Sequence, residues 1–61
     1  MTIKEFSALE LSGEKAFDKL TEQIQKHFTE NDKIISISHN IMYDKEYEGF
    51  LATAIICYEN Q

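Results

Sequence analysis

The chain has no proline, no tryptophan, no arginine and a single cysteine, and each shortage removes a class of explanation. Cys57 alone cannot close an internal disulfide. With only His27 and His39 beside it, a four-ligand zinc site is not expected. A lone thiol without a recognisable signal peptide reads as a protein of the cytoplasm, where thiols stay reduced. No apolar run approaches the ~20 residues that cross a bilayer, so a membrane role is not expected.

The missing arginine bears on partners. Six basic residues, all lysine, face 11 acidic ones, for a formal charge of −5. Nucleic-acid binders need clustered cations to neutralise phosphates, so that class is not expected. Bidentate guanidinium clamps on phosphate or carboxylate are also unavailable. An acidic chain remains compatible with a basic protein partner, or with solubility alone.

What is present is one small domain, residues 1–61. A chain this short buries only roughly 60% of its unfolded surface, which leaves a single core marginal. Small folds compensate with disulfides, a metal or self-association. Composition here leaves the last, or an unusually efficient core, and a homo-oligomer is expected.

The segment Met1 to Leu11 alternates at Leu9-Glu10-Leu11 and predicts a strand from Ile3 to Leu11. A helix capped by Ser7 with Glu10 is the competing reading, which Ser12-Gly13 disfavours by breaking the chain. From Glu14 the period changes. Phe17, Leu20, Ile24 and Phe28 recur at three- and four-residue steps and form the stripe of an amphipathic helix. Ser12 is its expected N-cap, and Asn31-Asp32 its expected end. Glu22 and Lys26 are spaced to pair, and His27 is placed to meet the last carbonyls.

The stretch from Lys33 to Glu59 then reads as a long hairpin with more apolar surface than one helix can cover. Its first arm divides into Ile35, Ile37, His39, Ile41, Tyr43 and Ile34, Ser36, Ser38, Asn40, Met42. Its second divides into Phe50, Ala52, Ala54, Ile56, Tyr58 and Leu51, Thr53, Ile55, Cys57. Pairing Tyr43 with Phe50 brings the apolar rows together, and places Ile35, Ile37, Ile41, Ala52, Ala54 and Ile56 under the helix. The tail Asn60-Gln61 is expected to fray. The fold class is therefore α+β: a single β-α-β-β domain, a three-stranded antiparallel sheet packed on one amphipathic helix.

That register leaves a second sheet face that mixes apolar with hydroxyl and amide groups. Ser36, Ser38, Asn40, Met42, Leu51, Thr53 and Ile55 are the candidate residues for a subunit interface or a small-molecule ligand. A bent first strand lying over this face is the plainer alternative. The loop Asp44-Lys45-Glu46-Tyr47-Glu48-Gly49 offers a second surface. Its alternating acids and glycine match the first half of a calcium loop, but Ile55 stands where the twelfth-position glutamate is needed. Gly49 is suited to positive φ. Tyr47, with Asp44, Glu46 and Glu48 around it, is the candidate contact for a basic partner.

Cys57 and His39 fall on opposite faces, so a thiolate–imidazole pair within one chain is not expected. Cys57 reads as a small structural hydrophobe; His39, interrupting an apolar row, reads as a structural histidine, with a ligand- or partner-binding imidazole as the alternative. No phosphate loop or nucleophile elbow is present, so the chain is expected to be neither an enzyme nor a cofactor carrier.

A strand running through Leu9-Glu10-Leu11-Ser12-Gly13-Glu14-Lys15-Ala16-Phe17 into a helix, followed by two long strands, resembles the dodecins, small β-α-β-β flavin-binding proteins. The ending Leu51 to Glu59 is similar to that of a family of roughly sixty-residue proteins from spore-forming bacteria and their phages. The resemblance implies closed oligomers built by sheet contacts. Dodecins stack flavin on a tryptophan at the start of the second strand; Ile34 and Ile35 stand there in this chain, so flavin is not implied.

Overall fold

The computed structural model describes residues 1–60; the expected fraying of Gln61 lies outside the described residues. The elements run β1 (Thr2–Glu10), α1 (Gly13–His27), β2 (Asp32–Asp44) and β3 (Gly49–Asn60). The β-α-β-β order is as the sequence predicts. All strands pair antiparallel in the order β1-β3-β2, so the last strand is central.

α1 begins where Ser12, in extended backbone, accepts the Lys15 N–H on its Oγ at 3.2 Å. It ends at His27, earlier than the expected Asn31-Asp32. Phe28 leaves helical geometry at φ −92°, ψ 145° and stacks edge-on with Tyr58, ring centroids 4.8 Å apart. Asp32 instead fixes the connection to β2, accepting the Thr29 N–H at 2.9 Å and the Asn60 amide at 2.9 Å. Asn60 is thereby paired rather than frayed. Leu11 falls just beyond β1 and is exposed.

The hairpin register matches the expected one, with Tyr43 opposite Phe50 and Ile41 opposite Ala52. A β-bulge between Ile34 and Ser36 changes its far end. Ile35 has no partner, and Ile34 sits opposite Tyr58, on the helix side rather than the outer side. The face assigned to Ile34 from alternation alone is thus corrected, and Ile35 drops out of the paired row under the helix.

The buried core is Phe6, Ala16, Leu20, Ala52, Ala54 and Ile56, all from α1, β1 and β3. The isoleucines of β2 are absent from it, contrary to expectation: Ile37 is 53% and Ile41 40% exposed. The reason is dimensional. A helix about 10 Å across covers two strands spaced ~4.8 Å apart, not three. With β3 central, α1 lies over β1 and β3 and touches β2 least. Its 15 residues span about 22 Å, against a molecule 40 Å long. β2 is therefore only partly covered by α1, and its residues from Lys33 to Tyr43 are all exposed.

Candidate functional site

The incomplete coverage of β2 creates a groove. Phe17, Thr21, Ile24 and Gln25 on one flank of α1 face Ile37 and His39 of β2, with Leu20 and Ala54 at the floor. The cavity measures about 230 Å³ and is open to solvent. Its walls are almost wholly apolar. His39 is exposed and meets the Phe17 ring edge-on at 6.3 Å. No hydrogen bond holds its imidazole among the described residues, so it is a groove-lining side chain rather than the satisfied structural histidine expected.

The predicted outer-face residues do gather on one surface. Their cross-strand rows are Ser36–Cys57, Ser38–Ile55, Asn40–Thr53 and Met42–Leu51. β1 extends these rows with Ile3, Glu5, Ser7 and Leu9. This leaves β1 as an ordinary edge strand, paired along its whole length with β3, so no bent strand covers the face. Ser36, Ser38, Asn40, Met42 and Ile55 are exposed, and Leu51 and Thr53 half-buried. The groove lies on the other side of the sheet, so the hydroxyl and amide groups of this face do not line it.

The hairpin tip is built by its own first residue. Asp44 Oδ1 accepts the N–H groups of Glu46 at 2.9 Å and Tyr47 at 3.3 Å, which makes Asp44 a turn-forming residue. Glu48, not Gly49, takes the left-handed conformation, at φ 51°. Tyr47 is 67% exposed, and Glu46 and Glu48 stand free of the core beside it. Among the described residues no three His, Cys, Asp or Glu side chains are grouped to hold a metal ion.

At the opposite end His27 joins Phe6, Phe28 and Tyr58 in an aromatic cluster, with centroids 4.9 Å from Phe28 and 5.4 Å from Phe6. Packing, rather than the expected contact with the last helix carbonyls, is its role. Cys57 is half-buried on the outer face and His39 lies on the helix side, so the two do not meet. No helix among the described residues is long and apolar enough to cross a membrane.

Sequence reasoning missed Phe17, Thr21 and Gln25 as groove residues. The available signal was the surplus of isoleucine on the first arm relative to the width of one helix. No protein-family model, no curated protein and no solved structure matches the chain.

Proposed function

We propose that the protein is a non-enzymatic, self-associating module that holds a small apolar molecule between subunits. In the reducing cytoplasm it would act stoichiometrically, by storage or sequestration. The observation that carries this reading is the groove between α1 and β2. At about 230 Å³ it falls below the roughly 300–1,000 Å³ that encloses a typical ligand. It is also open to solvent. A half-site of this kind becomes a binding cavity when a second subunit supplies the missing wall. The open outer face with its apolar and hydroxyl rows offers a further surface for assembly, and the resemblance to dodecins in element order supports the same reading.

Native mass spectrometry of the freshly purified protein tests it. Multiples of 7.1 kDa carrying a co-purifying mass are expected; a bare monomer at micromolar concentration would sink the proposal.

The exposed Tyr47 favours a second reading, an inhibitor or adaptor whose acidic tip docks on a basic protein. Such binding weakens steeply between low and moderate salt. Charge reversal at Glu46 and Glu48 that left a basic partner bound would rule it out.

A further inference from the structure

The two edges of the sheet are not alike. β1 carries Lys4, Glu5 and Glu10, and its Ser7 carbonyl accepts a hydrogen bond from Gln23 of α1 at 3.0 Å. Charges and helix cover are the usual means of keeping an edge from pairing. β2 has neither along its middle. From Ser36 to Tyr43 it contains no acidic residue, lysine or proline, and no bulge interrupts it. Its outer row of backbone N–H and C=O groups has no partner strand. In a chain of net charge −5 this stretch is where a second copy can approach without charge repulsion.

The sequence there is self-complementary. Antiparallel pairing about a two-fold axis normal to the sheet keeps helix-side residues opposite helix-side residues, so the axis must pass through a residue position rather than between two. Centred on His39, the register sets Ile37 against Ile41 of the second copy, Ser38 against Asn40, and His39 against its own equivalent. Centred on Asn40 it would oppose His39 to Ile41 and Ser38 to Met42; centred on Ser38 it would oppose Ile37 to His39. Only the first matches apolar with apolar and polar with polar through its three central rows, the first mismatch being Ser36 against Met42 one row further out.

From this we infer that two copies join β2 to β2 around His39 into one six-stranded sheet, with both grooves opening onto the axis. This rests on the self-association reading above and names its surface and register. The paired backbone alone falls short of the roughly 800 Å² per partner that a stable complex buries. Phe17, Ile37, Ile41 and Tyr43, 40–53% exposed on the same side, flank the edge and supply apolar area next to it. His39 lines the groove in each copy, so this register brings the two imidazoles together between the two grooves.

The test uses variants at the axis, followed by sedimentation velocity. His39→Lys and His39→Glu each set like charges against one another and are expected to weaken self-association by at least about tenfold. An equimolar mixture of the two is expected to recover it, because opposite charges then meet at the axis. Circular dichroism reports whether each variant remains folded. Cysteine cross-linking in a Cys57→Ser background gives an independent readout. His39→Cys is expected to form a disulfide dimer, since opposed Cα atoms at the axis lie roughly 4.5–5.5 Å apart. Ser38→Cys and Asn40→Cys are not, being about 8 Å from their own equivalents and beyond disulfide reach. A native protein that associates while the position-39 variants behave like it, or that cross-links through position 38 or 40, overturns this register alone. A native protein that stays monomeric overturns the self-association reading with it.

Discussion

Gly49 lies against Glu10 so closely that a Cβ built on it would come within 2.9 Å of the Glu10 carbonyl oxygen. The contact joins the end of β1 to the start of β3, and the obstructing atom is backbone, which cannot swing aside. Gly49→Ala is expected to lower stability by about 1–3 kcal/mol, as overpacking does. The neighbouring Glu48 behaves in the opposite way. Its left-handed conformation costs about 1–2 kcal/mol, more than the roughly 0.5–1 kcal/mol of flexibility that glycine loses on ordering. Glu48→Gly is therefore expected to raise the urea midpoint slightly while Gly49→Ala lowers it. The reverse order would show that the turn is built differently.

Core and groove isoleucines separate in the same assay. Ile56 is fully buried beneath α1, and Ile56→Ala is expected to cost about 2–5 kcal/mol, enough to unfold much of a domain this small. Ile37, two strands from β1 and half exposed, has little to lose; Ile37→Ala should cost less than about 1 kcal/mol in the monomer. Equal costs measured at low protein concentration would mean that the helix covers β2 after all.

These two residues also show what could be read from the chain. The hairpin register followed from matching apolar rows, because a slip of one position would turn every side chain over. The helix start was legible in Ser12 for a local reason, a side chain capping an N–H three residues on. Strand order was not legible. Alternation assigns Ile37 and Ile56 to one face, but only the non-local pairing of β1 with β3 decides which of them α1 reaches. The bulge at Ile35 was hidden for a related reason: no glycine or proline marks it, and continuous β-branched residues disguise the extra position. At the tip, glycine suggested positive φ at position 49, whereas the crowding by Glu10 is a tertiary demand with no local signature.

The pair Glu22–Lys26 gives a pH and salt prediction. Its nitrogen and oxygen lie 2.8 Å apart on an exposed face of α1. The hydrogen bond and charge of Lys26 lower the Glu22 pKa, and those of Glu22 raise that of Lys26. A lowered carboxylate value means a contribution complete above its ordinary 4.5 and lost as pH falls through the folded value. A raised ammonium value means one complete below 10.5 and lost as pH rises through the folded value. Full solvent exposure keeps the effect small. Glu22→Gln should lower the melting temperature slightly at neutral pH and low salt. At 1 M salt, where the Debye length is about 3 Å, the difference should vanish; a difference that persisted would point to packing rather than charge.

Asp32 supplies a more local test. Its carboxylate accepts from the Thr29 N–H and hydroxyl on one oxygen and from the Asn60 amide on the other. It thus ties the α1–β2 connection to the far end of β3. These groups are exposed, so water replaces the lost partners when the carboxylate is removed, and Asp32→Ala is expected to cost only about 1 kcal/mol overall. The loss should nevertheless be confined. Hydrogen exchange is expected to quicken at Thr29 to Lys33 and at Glu59 to Asn60, the residues that the carboxylate holds in register. Exchange at the Asp44–Gly49 tip should stay unchanged, because Asp44 organises that turn through its own hydrogen bonds to Glu46 and Tyr47. Quickening spread evenly along β2 would mean that Asp32 supports the whole edge strand, and that the outer edge is held by its end rather than by its pairing with β3.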